Sequence, residues 1–296
     1  MSKRRPSPYL PLVYPLILVL GSFYSIISPA AFPPPATPLA AGLASDLNAP
    51  PSNYFSGKKN VFNLYFVKIG WFWTTLAFTL LQFTTRPPPA NTQKHYMQAT
   101  LRYVLITLSW YLTTQWFFGP ALIDRSFTIT GGQCEPQFYN EAGLQETLDL
   151  KFISSGPACK VAGGTWRGGY DISGHVFMLV LSSAFLLYEL YIADRHSSHP
   201  SVSPQAAARL AHDLTEEERN AVGGWEPEWI ARVRVWSRYL LYLVVILDLW
   251  MLMMTAIWFH TWLEKASGLV LAGFTVWGTY FLGDLAEGWK AIVGGL

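Results

Sequence analysis

The sequence is poor in charged residues, and this shortage bounds the class of protein. Asp, Glu, Lys and Arg make up 14% of the 296 residues, whereas hydrophobic residues make up 51%. Soluble domains carry roughly 25% charged residues, so the composition points to a membrane protein. The small net charge of +2 and the lack of a basic stripe interleaved with aromatic residues argue against a nucleic-acid-binding protein.

Cysteines are also scarce, and a signal-peptide cleavage site is missing. Two cysteines exclude a disulfide-dense scaffold but leave room for one bridge. The N-terminus has the basic start of a signal peptide, yet no small-residue cleavage site follows neatly and the apolar run continues too long. We therefore interpret residues from about 9 to 31 as a retained first span that also serves as the targeting signal.

Long apolar stretches predict an all-α, polytopic membrane protein with six transmembrane helices. A bilayer core about 30 Å thick requires roughly 20 mostly apolar residues in a helix. Prolines interrupt the first stretch, but they are tolerated better in membrane helices than in soluble ones. The six stretches are about 9–31, 61–83, 98–119, 172–192, 239–259 and 266–284.

The lysines and arginines predict the orientation of these spans. They are more numerous in the connections on the side of the N-terminus, which favours cytosolic placement of both termini. Residues 9–284 then form one six-span domain. The predicted cytosolic segments are 1–8, about 84–97, about 193–238 and 285–296, and the loops on the opposite side are about 32–60, 120–170 and 260–265.

Two of the six histidines stand out in this topology. The fourth span runs from the far side to the cytosol and the fifth runs back, so His175 and His260 both emerge at the non-cytosolic face. Each alone could be an interfacial hydrogen-bonding residue, but the pair on one face favours a site, since ionisable residues at the edge of spans are costly. The other histidines fall in predicted cytosolic loops and are expected to be solvated: His95, His196, His199 and His212.

The residues around His175 suit an anion. Asp171 and Ser173 are good N-cap types, and Gly174 lets a ligand approach the backbone closely. A helix start with free N–H groups is a ready site for phosphate. Two histidines at one phosphate suggest a phosphoryl reaction in which one is the nucleophile and the other the general acid, with no metal or cofactor required.

Cationic side chains on the same side could hold the phosphate oxygens. Lys68 lies roughly 10 Å inside the second span, where it could equally snorkel to the interface. The further candidates on that side are Lys58, Lys59, Arg125, Arg167 and Lys265.

Two acidic residues lie within the spans and have predicted structural roles. Asp248 is near mid-membrane in the fifth span, and we expect a buried hydrogen bond to another span, with a polar contact for diacylglycerol as the alternative. Glu189 lies near the cytosolic end of the fourth span and is expected to reach the lipid headgroups.

Three sequence blocks resemble the fat storage-inducing transmembrane (FIT) proteins, most closely in their fungal form. They are "NYFSGKKNVFNLYFVKIGWFWT" (53–74), "GGTWRGGYDISGHVFMLVLSS" (163–183) and "FHTWLEKASGLVLAGFTVWGTYFL" (259–282). The family is related to lipid phosphate phosphatases, so the resemblance implies that His175 is the general acid and His260 the nucleophile. Ile172 replaces the proline of the phosphatase "PSGH" motif. The phosphatase "K-x6-RP" motif is missing as well, and so are the arginine and aspartate that flank the nucleophilic histidine in a later phosphatase motif.

The resemblance also implies a location, a substrate and a biological role. The protein would lie in the endoplasmic reticulum membrane, with both termini cytosolic and the active site luminal. It would cleave the phosphoanhydride of fatty acyl-coenzyme A to acyl 4′-phosphopantetheine and adenosine 3′,5′-bisphosphate. It would also bind diacylglycerol and triacylglycerol and support lipid droplet formation and lipid homeostasis.

The cysteines fit an oxidising lumen. Cys134 and Cys159 both lie in the predicted loop between the third and fourth spans, where a bridge would close the loop ahead of the active-site helix. Two unpaired thiols are the alternative.

For function, the alternatives are a non-enzymatic neutral-lipid binder and a bis-histidine haem carrier. The haem carrier is disfavoured because both histidines lie at the membrane edge.

Overall fold

The computed structural model describes residues 9–28, 53–57, 59–85, 92–116, 119–136, 153–197 and 228–295. This part of the chain is mainly helical, as the sequence predicts. It differs from the all-helical prediction by one hairpin in which β1 (Gln133–Pro136) pairs antiparallel with β2 (Gly164–Arg167).

The helices follow the predicted spans, and short helical turns lie between them. Single 3₁₀ turns cover Leu10–Leu12, Tyr54–Ser56 and Leu282–Asp284, and a π-helix covers Asn63–Val67. The α-helices are α1 (Val13–Ile27), α2 (Gly70–Thr84), α3 (Thr92–Thr114), α4 (Leu122–Ile129), α5 (Gly156–Val161), α6 (Gly174–Ser197), α7 (Glu228–Trp258), α8 (Trp262–Tyr280) and α9 (Glu287–Val293).

Local sequence explains where several of these helices begin and end. Ser28 is extended and ends α1, because the residue before a proline (here Pro29) is disfavoured in the helical region. Ser173 caps α6 by accepting the Val176 N–H at 3.3 Å. The sequence T-W-L-E forms a capping box at the start of α8, in which Thr261 and Glu264 each accept the other's backbone N–H.

The long helices form a bundle whose consecutive members run in opposite directions. We call the end at which α6 begins and α7 ends the upper end, and the opposite end the lower end. Thr84, at the end of α2, meets Arg234 and Ser237, near the start of α7, at the lower end. Lys265, near the start of α8, meets Ser22, late in α1, at the upper end.

Helix α6 is the centre of the bundle. It packs against α2, α3, α7 and α8, and most of its residues are buried. A helix that is apolar all round is expected to be buried on all sides. Within the described residues, three helical segments are long and apolar enough to cross a membrane, namely Leu10–Ile27, Gly174–Arg195 and Trp229–Trp258.

The second and fifth predicted spans differ most from the structure. The second predicted span is interrupted, because the π-helix ends at Val67 and Ile69 has non-helical backbone angles before α2 begins. Helix α7, which contains the fifth predicted span, begins at Glu228, inside the segment predicted as a cytosolic loop. Its first turns contain arginines, so a search for apolar stretches misses them. Arginine nevertheless has a high helix propensity.

Glu189 does not reach the headgroups as predicted. Its side chain is fully buried and accepts hydrogen bonds from Arg102 at 2.6 and 2.9 Å and from the Tyr280 hydroxyl at 2.8 Å. Arg102 also donates to the Val293 carbonyl at 3.0 Å. The two charges therefore neutralise each other inside the lower half of the bundle and fix α9 to α3.

We expect the buried ion pair of Arg102 and Glu189 to respond strongly to the loss of one partner. Glu189→Ala leaves the Arg102 guanidinium buried without its counter-charge, which we expect to cost about 3–5 kcal/mol of the free energy of unfolding. Chemical denaturation in detergent measures this loss. The double variant Arg102→Met with Glu189→Leu removes both charges and should recover most of the stability; a double variant as unstable as Glu189→Ala would contradict the account.

Asp248 makes the hydrogen bond predicted for it. It is buried and accepts a hydrogen bond from the Ser182 hydroxyl at 2.8 Å, and Ser182 is in turn 2.7 Å from the Thr74 hydroxyl. The three residues come from α7, α6 and α2. The prediction of a hydrogen bond between spans is confirmed, and this network ties the centre of the bundle together.

Candidate functional site

The structure brings the two singled-out histidines together at the upper end of the bundle. His175 is the second residue of α6, and His260 lies in the short turn between α7 and α8. Their ring centroids are 6.4 Å apart. Both line one cavity of about 860 Å³, so the juxtaposition that the topology predicts is present in the fold.

His175 is held by an asparagine of the π-helix. Its Nε2 lies 3.0 Å from Asn63 Oδ1. Asn63 is buried, and its backbone N–H donates to Asn60 Oδ1 at 2.8 Å. Asn60 in turn donates to the Gly57 carbonyl at 2.8 Å. Because an amide oxygen only accepts, this contact suits an Nε2–H of His175 in both its neutral and its protonated form.

His260 is held by a carboxylate and an unusual backbone conformation. Its φ of 63° is the only positive value at a non-glycine residue in the described part of the chain, and such conformations cluster at functional sites. Its Nδ1 lies 3.4 Å from Glu264 Oε2, which also accepts the Thr261 N–H at 2.7 Å. A carboxylate at Nδ1 favours the tautomer whose Nε2 can act as nucleophile or base.

Three lysines from two segments, residues 59–68 and α5, line the same cavity: Lys59, Lys68 and Lys160. Lys68, one of the predicted substrate contacts, lies on the wall of this cavity. Lys160 lies on α5, next to a cysteine. An anion in the cavity would therefore be surrounded by positive charge from several directions.

The structure does not bring two other predicted cations to the cavity. Lys265 is buried, and its Nζ donates to the Ala256 carbonyl at 2.6 Å and to Ser22 at 3.0 Å. These two hydrogen bonds hold the Lys265 ammonium group on the inner face of α8. Arg125 directs Nε to the Pro120 carbonyl at 3.2 Å. The side chain of Arg167 and the whole of Lys58 lie outside the described residues.

Ser173 and Gly174, the two predicted substrate contacts at the start of α6, have different positions in the structure. Gly174 lines the cavity. Ser173 is fully buried and caps the helix, and its backbone N–H donates to the Glu264 carbonyl at 3.1 Å. A Cβ at Gly268 would lie 2.7 Å from the Ser173 carbonyl oxygen. Close packing of α8 on the start of α6 thus sets the distance between the two histidines.

Asp171 adds a titratable carboxyl to the cavity wall. Partial burial raises its pKa to about 6, and the nearby carboxylates Asp124 and Glu264 add to the effect. Burial also raises the pKa of Asp124, which accepts the Gly156 N–H at 3.2 Å. The charge of the cavity therefore changes with pH near neutrality.

A disulfide supports the segment that leads to His175. Cys134 of β1 and Cys159 of α5 are bonded to each other and buried. A Cβ at Gly164, which begins β2, would lie 2.5 Å from Cys134 Sγ, so the hairpin packs directly on the bridge. The bridge fixes α5, and with it Lys160, above the start of α6.

One of the histidines expected to be solvated is buried. His95 is 4% exposed, because α3 begins at Thr92, earlier than the predicted span, and turns this residue into the bundle. The side chains of His196, His199 and His212 lie outside the described residues.

The sequence reasoning overlooked four residues of the site: Asn63, Thr261, Glu264 and Lys160. The first three carried a readable signal. T-W-L-E is a capping box directly after His260, and the two asparagines of "NVFNLYFVK" are three residues apart, which places both on one helical face. No signal in the sequence brings Lys160 near the histidines, since the disulfide and the hairpin place it there.

The apolar helices and the two-histidine cavity define an integral membrane protein with a candidate phosphate-binding site at one end of its bundle. The chain belongs to the FIT family: the family described as fat storage-inducing transmembrane protein matches residues 51–280. This match confirms the resemblance noted in the sequence.

Individual relatives agree with this family. The chain is 31% identical over 231 residues, 78% of this chain and 74% of the relative, to "Acyl-coenzyme A diphosphatase fit1" of Schizosaccharomyces pombe. It is 26% identical over 259 residues (84% and 81%) to "Acyl-coenzyme A diphosphatase FITM2" of Xenopus tropicalis. It is 25% identical over 341 residues (77% and 89%) to "Acyl-coenzyme A diphosphatase SCS3" of Saccharomyces cerevisiae. No solved structure is detectably similar to the chain.

Proposed function

We propose that this protein is a fatty acyl-coenzyme A diphosphatase of the endoplasmic reticulum membrane. The observation that carries the proposal is the pair of histidines, with ring centroids 6.4 Å apart, on a lysine-lined cavity at the edge of an apolar bundle. The diphosphatase names of the relatives supply the substrate class. The products would be acyl 4′-phosphopantetheine and adenosine 3′,5′-bisphosphate, and the activity would support lipid droplet formation and lipid homeostasis.

The geometry suggests a role for each side chain. His260 attacks the phosphorus of the pantetheine-linked phosphate and forms a P–N bond, while the P–O bond to adenosine 3′,5′-bisphosphate breaks. His175 gives a proton to the leaving oxygen and later takes one from the water that breaks the P–N bond. The Glu264 carboxylate stabilises the His260 imidazolium, and Lys59, Lys68 and Lys160 stabilise the charge on the phosphate oxygens.

Product analysis tests the function directly. The purified protein in detergent is mixed with oleoyl-coenzyme A, and the products are identified by mass spectrometry. We expect oleoyl 4′-phosphopantetheine and adenosine 3′,5′-bisphosphate in equal amounts. Oleate with free coenzyme A would indicate a thioesterase, and no turnover would favour the alternative of a non-enzymatic binder of diacylglycerol and triacylglycerol.

The proposed topology has six spans, both termini in the cytosol and the cavity in the lumen. The disulfide supports it, because bridges persist in the oxidising lumen and are rare in the cytosol. We therefore expect Cys134 and Cys159 to resist a maleimide in protein from unreduced membranes and to react after reduction. Cys159→Ser, which frees Cys134, is the positive control. Reaction of both thiols without reductant would place this loop in the cytosol and contradict the proposed topology.

The raised pKa of Asp171 predicts a pH dependence of substrate binding. The carboxyl is neutral below its pKa of about 6 and ionises as the pH rises, which adds a negative charge to a cavity that binds phosphates. KM for oleoyl-coenzyme A should therefore rise between pH 5 and 7 by roughly 3- to 10-fold more in the wild type than in Asp171→Asn. Asp284→Asn, at the lower end, is the matched control. Equal profiles for wild type and Asp171→Asn would contradict the role of Asp171.

A further inference from the structure

The segment of residues 59–68, which we call the elbow, separates two cavities. Lys59, Asn63 and Lys68 line the cavity of the two histidines. Val61, Phe62, Tyr65 and Phe66 line a second cavity. Val61, Phe62 and Tyr65 lie on the side of this helical stretch away from Asn63, and Phe66, three residues after Asn63, lies at the border between the two sides. The same short helical stretch thus forms a wall of both cavities.

The second cavity is a groove of about 250 Å³ with apolar side chains on its remaining walls. Trp73 of α2 forms one wall. Its indole N–H donates to the Tyr65 carbonyl of the elbow at 2.9 Å, so the one polar group of this side chain is hydrogen-bonded. Leu240, Leu243 and Leu247 of α7 form the other wall at i, i+3, i+7, which is one stripe of that helix.

The groove lies at the depth of a lipid chain. Leu247 is about 16 Å along α7 from the end of that helix at Trp258, at 1.5 Å per residue. Trp229–Trp258 is one of the segments apolar enough to cross a membrane. The histidine cavity lies at the upper end of the bundle. A molecule that occupies both cavities must therefore have a polar part in the histidine cavity and an apolar part in the groove.

We propose that the groove binds the acyl chain of the acyl-coenzyme A substrate. This inference rests on the proposed function and adds to it a site for the chain. An α-helix is about 10 Å thick, and the pantetheine arm, which joins the diphosphate to the thioester, is long enough to pass around a helix of that thickness. The phosphates meet the lysines on the polar face of the elbow, while the fatty chain lies against the apolar face and the stripe of α7.

Narrowing the groove should change chain-length preference. Leu243, 53% exposed, stands at the groove, whereas Ile246, 62% exposed, lies on α7 outside it. Leu243→Trp should lower the ratio of kcat/KM for oleoyl-coenzyme A to that for octanoyl-coenzyme A by roughly tenfold or more, since a filled pocket rejects a larger substrate. Ile246→Trp should keep the wild-type ratio. An unchanged ratio in Leu243→Trp, or equal changes in both variants, would overturn the proposal.

A binding measurement on the wild type covers the case in which Leu243→Trp fails to fold. Palmitoyl-coenzyme A with a diazirine at the far end of its chain is photolysed with the protein, and the labelled peptides are mapped. We expect labels on the elbow and on the stretch of α7 from Leu240 to Leu247, removed by unlabelled palmitoyl-coenzyme A but not by phosphatidylcholine. Labels elsewhere, or displacement by phosphatidylcholine alone, would show that the groove holds only bilayer lipid.

The two proposals fail in different ways. If the wild type labels in the groove but does not hydrolyse oleoyl-coenzyme A, the proposed enzyme activity falls and the binding site stands. If the wild type hydrolyses oleoyl-coenzyme A but labels outside the groove, the activity stands and the acyl-chain site falls.

Discussion

His260→Ala is expected to reduce kcat for oleoyl-coenzyme A hydrolysis by roughly 10⁴-fold or more, because it removes the group that forms the covalent bond to phosphorus. His175→Ala is expected to reduce kcat by roughly 10²- to 10⁴-fold, since a general acid contributes less than a nucleophile. Both histidines lie at the surface of one cavity, so their removal leaves the packing of the bundle intact. Initial rates in detergent measure both effects.

A matched histidine control accompanies these variants. His212→Ala changes a histidine in the segment predicted as a cytosolic loop and should retain wild-type turnover. Thermal unfolding of all variants shows whether the fold is kept. If either His175→Ala or His260→Ala, correctly folded, turns over at the wild-type rate, the two-histidine account is contradicted.

Glu264→Gln is expected to produce the second large loss, of roughly 10²-fold or more in kcat. The amide oxygen of glutamine can still accept the Thr261 N–H that Glu264 accepts at 2.7 Å, so the cap of α8 is kept. The negative charge 3.4 Å from His260 Nδ1 is lost, and with it the stabilisation of the imidazolium and of the productive tautomer.

Comparison with Glu264→Ala separates catalysis from capping. Glu264→Ala loses both the charge and the cap, which should lower stability by about 1 kcal/mol and reduce kcat as much as Glu264→Gln does. Near-normal kcat in Glu264→Gln with a loss only in Glu264→Ala would show that Glu264 merely caps the helix.

The parts of the fold that depend on composition could be predicted from the sequence. Apolar stretches long enough for a helix located all the long helices, and the alternating direction of those helices placed His175 and His260 at one end. Neither inference needs knowledge of which helices touch. The same reasoning found the hydrogen bond of Asp248, because a carboxyl at mid-membrane must find a polar partner.

The parts that depend on packing could not be predicted from apolarity. Lys265 and Lys68 both lie near spans, but the rotation of α8 turns Lys265 to Ala256 and Ser22, whereas the break after the π-helix leaves Lys68 at the cavity. The position of Glu189 near the end of the fourth span predicts a headgroup contact, and its actual partner Arg102 lies on a different helix. Rotation about a helix axis and pairing between distant segments are properties of the assembled bundle.

The most direct test of the central claim is to trap the covalent intermediate. Protein turning over oleoyl-coenzyme A is quenched in alkali, in which phosphohistidine is stable, and its peptides are mapped by mass spectrometry. The account predicts a phosphopantetheine adduct, with its thioester hydrolysed by the alkali, on the peptide that contains His260, absent from His260→Ala. An adduct on His175 instead, or undiminished turnover with no adduct on either histidine, would contradict it.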